Sequence, residues 1–350
     1  MTGAITCTRI HEQQFVKVVS PVGLFLSSAL DNLLSPMILF FGLGLLAGTL
    51  RSNLLIPRGL VAAASLYLMV AIGFRGGTEL AREGLSERFL ATAGAGLLLG
   101  FVVLPVTAFA ILTRFGRLDP VNAGAIASHY GSISVVTFVT ATGFLVRQGL
   151  SHEGFMTAVM ALMEAPGVLS GILLARHHGR QHADPSQDTT WAAVRETVFG
   201  GAPVVLVGSL VVGAMAGEEG RRLMEPFVVE LFPGALSFFL LEMGLTAGRQ
   251  VGDFLRVGRF LCTFGLVMPL VGGALGALTA SLIGLSVGGT TLFAVLAASA
   301  SYIAAPAAVR LALPQANPAL SITPALGVTF PFNITLGIPL YYALASWLHR

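Results

Sequence analysis

The chain has 350 residues, of which 55% are hydrophobic and only 11% charged, against about 25% charged in an ordinary soluble domain. A mean hydropathy of +0.82 and a net charge of only +3 exclude a soluble globular domain and a nucleic-acid binder, whose basic face would need far more charge. What remains is a polytopic membrane protein, with lipid as solvent for most of its surface.

The first 34 residues are of mixed character. The apolar stretch within residues 15–35 is too short to span, which predicts an interfacial helix or a disordered extension rather than a cleavable leader. The two cysteines, Cys7 and Cys262, lie in that extension and inside an apolar run, so neither a disulfide nor a metal site is expected. Ten stretches suited to crossing a bilayer follow, counting roughly 20 apolar residues per span and fewer where a helix is broken. Residues 35–50 open with Ser35 as N-cap and Pro36 at the first helical position. Residues 57–73 follow. The connector 74–86 carries Glu79, Arg82 and Glu83 at helical spacing and reads as a solvated interfacial helix. The third stretch is 87–112. Asp119-Pro120 opens the fourth, which continues to about residue 146, and 153–175 is the fifth. The strongly polar run 176–190 reads as a linker. Residues 191–216 form the sixth stretch; a charged segment, 217–230, leads to the seventh, 232–248, and the eighth is 259–285. The ninth is 289–313, and Asn317-Pro318 opens the tenth, which ends near Trp347. The expected organisation is an extension, 1–34, a first five-helix unit, 35–176, a linker, 177–190, and a second unit, 191–350.

The two units repeat each other at an offset of 171 positions. Arg88, Phe89, Leu90, Thr92 and Gly94 recur as Arg259, Phe260, Leu261, Thr263 and Gly265. Gly73 and Gly77 recur as Gly244 and Gly248, and Ala127-Ser128 as Ala298-Ser299. Five helices per unit is an odd number, so the second unit must sit upside down in the membrane. Inverted repeats of this kind are a signature of secondary transporters. The 20 Lys and Arg divide nine to eleven between the two faces, which predicts both termini outside and the linker inside.

In such a protein the substrate lies near the midplane, between helices whose hydrogen-bond ladders are interrupted. The fourth and ninth stretches are the interrupted pair. Residues 128–134, SHYGSIS, hold Gly131 and three serines. Residues 299–306, SASYIAAP, end in Pro306, which deprives the Tyr302 carbonyl of its helical donor. If both unwind, two helix N-termini present free N–H groups and positive dipole ends, an anion site without a basic side chain. Small residues also serve packing, and serine often bonds the carbonyl four residues back; two Ser-rich interruptions at matched positions favour a site. Ser128, Gly131, Ser132, Ser299, Ser301 and Tyr302 are the expected anion-binding residues. Ser134, Glu164 and Asn333 are the expected cation ligands. Glu164, two residues before Pro166, either ligates sodium, carries a proton, or caps backbone freed by the proline. Glu242 suits a structural bond as well as a function, and His129 reads as a neutral packing residue.

The stretches GSISVVTF, MEAPG, AASASYIAAPAAVRLALPQANPAL and GIPL resemble the sodium-dependent bicarbonate transporter family, the SbtA type known from cyanobacteria, over nearly the whole chain. The resemblance implies a ten-helix protomer with a core domain and a gate domain, similar to bile-acid symporters and sodium/proton antiporters. It also implies a homotrimer, sodium-coupled elevator transport of bicarbonate, and a small PII-like regulatory partner. Its motifs fall on Gly131 and Ser132, on Glu164 and Pro166, and on Ser299 and Ser301. The expectation is therefore a sodium-coupled importer of a small inorganic anion, in the bacterial inner membrane, with membrane lipids around it, no cofactor and no nucleic acid. A proton-coupled carrier using Glu164 is the alternative. A passive channel is a further possibility, and a membrane enzyme is disfavoured because neither HExxH nor GxSxG is present.

Overall fold

The computed structural model describes residues 21–179, 191, 194–195 and 198–350. Most of the N-terminal extension, with Cys7, and most of the polar linker lie outside the described residues. Among the described residues the regular structure is entirely helical, as it must be where no water satisfies the backbone. In chain order, α1 (Pro21–Leu33) and α2 (Pro36–Thr49) form a pair bent by 66°. Next come α3 (Arg58–Glu83) and α4 (Glu87–Leu98), which passes through a π-helical turn into α5 (Leu104–Arg114). Then come α6 (Pro120–Gly131), α7 (Val135–Arg147) and α8 (Met156–His178). The second half holds α9 (Gly201–Glu225), α10 (Phe232–Val257) and α11 (Arg259–Ile283). It closes with α12 (Val287–Ala298), α13 (Ala304–Ala312), α14 (Pro318–Pro324) and α15 (Ile338–Leu348), the last two joined by π-helical turns.

Seven helices are long and apolar enough to cross a membrane, or eight with the bent pair, against the ten stretches expected. One of the seven, Pro203–Arg249, merges the expected sixth and seventh stretches, and the ninth contributes only the short helix Val287–Ala298. The helix starts follow local chemistry. Asp119, before Pro120, accepts from the N–H groups of Val121 and Asn122, and Ser86 and Ser286 accept from Phe89 and Gly289. These side chains satisfy donors that a helix start leaves orphaned. Ser35 makes no such bond, although Pro36 follows it.

The connector expected at 74–86 is instead the continuation of α3. Phe74, Gly76, Gly77 and Thr78 are buried, so packing overrides the polar pattern. The partner is α9: a Cβ added at Gly73 or Gly77 would run into the backbone of Leu206 or Leu210. A second close pair has the same character. Gly44 and Gly48 on α2 abut Leu241 and Leu245 on α10, while Gly244 and Gly248 on α10 abut Phe41 and Leu45 on α2. Glycine lets these backbones approach closely, the usual basis of helix association in lipid.

Around these pairs the remaining helices make a denser body. The most apolar window of the span Pro120–Arg147 is 83% buried, against 39% for Gly59–Glu83, so α6 and α7 run through the interior. α6 packs on α8, and α12 on α11 and α15. Prolines leave carbonyls without helical donors, and side chains fill them. Pro269 frees the Gly265 carbonyl, which accepts from Thr329 Oγ1 at 2.6 Å. Pro339 frees that of Thr335, which accepts from Asn32 Nδ2 at 3.1 Å, and the same amide donates to Ile334 O at 2.7 Å. Asn32 Oδ1 in turn accepts from Arg147 at 3.0 Å. The stretch before residue 35 is thus bonded into the fold through α1.

Candidate functional site

Both expected interruptions are present. α6 ends at Gly131, and Ser132 and Ser134 are extended (φ −97°, ψ 162° and φ −111°, ψ 110°) before α7 starts. α12 ends at Ala298, Ser299 is extended (φ −85°, ψ 165°), and helix resumes at Ala304. The first break is fixed by close backbone contact. A Cβ at Gly131 would stand 3.0 Å from the Gly100 carbonyl oxygen and from Gly167 Cα, so a side chain there would need its backbone neighbours to shift. Ser132 then ties the unwound strand to α8, donating to the Glu164 carbonyl at 2.6 Å.

The two breaks touch each other. The Ser301 N–H donates to the His129 carbonyl at 2.8 Å, and His129 Nδ1 lies 2.6 Å from the Ser301 carbonyl. A carbonyl cannot donate, so Nδ1 carries a proton. Nε2 is buried with no partner among the described residues. The Ser134 N–H donates to Ser299 Oγ at 3.0 Å, and Ser299 Oγ donates to Leu296 O at 2.9 Å. Each unwound segment thus satisfies part of the other's backbone, which makes two broken helices tolerable inside a bilayer.

Beside this crossing lies a cavity of about 10 Å³ lined by Ser134, Glu164, Ser301 and Tyr302, with Met69 and Ile303 closing it. That is room for one water-sized occupant. Val135 and Ala304, the first residues of α7 and α13, also line it, so two positive helix ends border the same cavity as Glu164. Glu164 is 5% exposed. The Tyr302 ring rests on Phe330 at a centroid distance of 5.0 Å, and its buried hydroxyl has the Ser134 side chain beside it but no well-formed hydrogen bond among the described residues. Ser134 Oγ accepts from Thr137 N–H and Thr137 Oγ1, and Ser301 Oγ accepts from the Ala305 N–H at 3.3 Å. A small void with three hydroxyl-bearing residues and one carboxylate-bearing residue among its lining offers the oxygen chemistry of a small hard cation. A four-atom anion fits only if the walls separate.

The structure therefore brings Ser134, Glu164, Ser301 and Tyr302 onto one cavity, with Ser299 one hydrogen bond away. Ser128 Oγ donates to the Gly124 carbonyl of its own helix at 2.9 Å. Gly131 and Ser132 face α8. Asn333 stands on the far side of the second break. Its Nδ2 donates to the Ala298 carbonyl, freed where α12 ends, at 2.9 Å, and its Oδ1 accepts from Tyr341 at 2.9 Å. Glu242 bonds Thr246 through one oxygen at 3.1 Å, and its other oxygen is unpartnered among the described residues. His129, at the crossing, and Met69, on the cavity, were not among the expected site residues; no sequence signal marks Met69.

The family model of the Na+-dependent bicarbonate transporter superfamily matches residues 36–346. The chain belongs to that superfamily, and with its long apolar helices it is an integral membrane protein. No curated protein matches it.

Proposed function

We propose that this superfamily member imports bicarbonate in symport with sodium, by an elevator movement of the body around α6–α8 and α11–α15 against the glycine-packed helices α2, α3, α9 and α10. The observation that carries this reading is the contact between the two unwound segments beside a cavity lined by Glu164. Sodium takes the cavity, with Glu164, Ser134, Ser301 and Tyr302 as its oxygen neighbours. Its charge offsets that of Glu164, so the N-terminal amides of α7 and α13 are free to attract an anion. Each ion then lowers the cost of binding the other, which is the coupling a symporter needs.

Two further observations support a pair of inverted five-helix repeats. First, α2 lies on α10 as α9 lies on α3, and the glycines of the two contacts, Gly73 and Gly77 against Gly244 and Gly248, stand at the 171-residue offset. Second, the 47-residue run Pro203–Arg249 would extend about 70 Å as one helix, more than twice the roughly 30 Å hydrocarbon core. It turns at Gly217 (φ 58°, ψ −151°), so it crosses twice. With the bent first pair and the broken α12–α13 counted as one crossing each, ten crossings result.

Glu164 is the one carboxylate on the cavity, which keeps proton coupling as the second reading. Uptake of labelled bicarbonate into proteoliposomes separates the two. Sodium symport predicts uptake driven by a sodium gradient and insensitive to a proton uncoupler, with E164Q at least tenfold slower at the same sodium concentration. Uptake that ignores sodium and collapses with the uncoupler would replace sodium by a proton on Glu164. Accumulation above the external concentration rules out a passive channel.

A further inference from the structure

A second cavity, of about 310 Å³, lies between the C-terminal part of α3 and the helices α7 and α8. The acid–base residues on its wall are Arg75, Glu79, Arg82 and Glu83 from α3 and His152 from the loop after α7. Four of these five are committed. Arg82 pairs with Glu79 at 3.9 Å, Glu83 accepts from the Gly154 N–H at 2.9 Å, and His152 Nδ1 is 3.0 Å from the Glu153 carbonyl. The Arg75 guanidinium alone makes no hydrogen bond or direct ion pair to a described residue, and feels Glu79 only through longer-range attraction. A half-buried guanidinium on a membrane helix is costly to keep and marks a function by default.

The cavity also adjoins the site. Val139 borders it and a narrow void of about 10 Å³ lined by Leu68, Met69, Val135, Phe239 and Ile303. That void shares Met69, Val135 and Ile303 with the Glu164 cavity. The three spaces are neighbours, divided by these shared apolar side chains, and lead from the wide cavity that holds the charged residues to the crossing of the broken helices.

We propose that Arg75 makes this wide cavity a capture site for a small planar oxyanion, held by the guanidinium fork before it passes the dividing side chains. The idea rests on the transport reading above and adds the place where the anion is first bound. Arg donates two parallel N–H bonds to a carboxylate-like anion, and a cation in a walled cleft raises the local anion concentration.

The test is chemical and does not need transport. T142C puts a thiol on the cavity wall in a chain whose Cys7 and Cys262 are serine. Purified protein in detergent is treated with anionic and cationic methanethiosulfonates of similar size. The ratio of anionic to cationic reaction rates should fall about tenfold with R75Q and be kept by R75K. Bicarbonate should slow the anionic reagent more than chloride does at equal ionic strength, and lose that advantage with R75Q. A rate ratio indifferent to R75Q, or a thiol that neither reagent reaches, overturns the proposal. Sodium-driven uptake by the T142C background is read separately. If uptake is absent there while the Arg75-dependent charge preference persists, the transport reading fails and the anion site stands.

Discussion

Tyr302 and Asn333 were both expected to touch an ion, and they hold opposite positions with respect to hydrogen bonding. The Tyr302 hydroxyl is buried beside Ser134 with no well-formed hydrogen bond among the described residues, a costly state unless something else uses the oxygen. If packing were its only role, Y302F would leave uptake unchanged. The cation reading instead predicts that Y302F keeps its unfolding temperature in detergent and raises the sodium concentration for half-maximal uptake about tenfold. Asn333 has both ends of its amide taken by protein. N333A should therefore destabilise, by about 1–3 kcal/mol for each buried group left unpaired, visible as a lower unfolding temperature. A normal unfolding temperature with a large shift in sodium dependence would return Asn333 to the ion. The serines, Gly131 and Pro306 were legible as irregularities in an apolar sequence. Their partners were not, because His129 meets Ser301 across 172 positions, a separation that no local pattern encodes.

Among the helices, glycine spacing carried the most information and polarity misled. The reading of residues 74–86 as a solvated connector followed from alternating charge, yet α3 runs on to Glu83 because its glycine face is buried on α9. G77L must push the backbone of Leu210 and Ala214 aside, which costs at least about 1–3 kcal/mol. It should reduce the yield of monodisperse protein. G248L, at the equivalent place on α10, should do the same, and G94A, where an added Cβ meets nothing within 4 Å, should be harmless. Equal tolerance at all three positions would undo the account of the paired helices. Asp119-Pro120 was read as a helix start, and Asp119 caps that start, whereas Ser35, the residue read as an N-cap, makes no capping bond. Burial tends to raise the Asp119 carboxyl, but the Asn122 amide and the N–H groups of Asn122 and Val121 outweigh that and hold it below the usual carboxylate range. The stabilisation is complete above the ordinary value and is lost as pH falls through the lowered one. D119A should cost about 0.5–2 kcal/mol at neutral pH, and the gap in unfolding temperature between D119A and the parent chain should narrow in acid. A gap that widens in acid would contradict the cap.

For the whole molecule, composition was enough to define a membrane protein, and the Gly-, Ser- and Pro-bearing stretches at matched positions anticipated which helices break. The number of crossings was harder to read, because short or merged helices such as Val287–Ala298 and Pro203–Arg249 do not match a simple length rule. Substrate choice was least legible. The cavity at the crossing suits a single cation-sized occupant, so the anion's place depends on a movement that opens it. The most direct measurement is accumulation of labelled bicarbonate in proteoliposomes carrying an inward sodium gradient, with an uncoupler present and membrane potential clamped. The account predicts accumulation above the external level that stops when sodium is equal on both sides and is lost with E164Q. Equal accumulation without a sodium gradient, or full activity in E164Q, would contradict it.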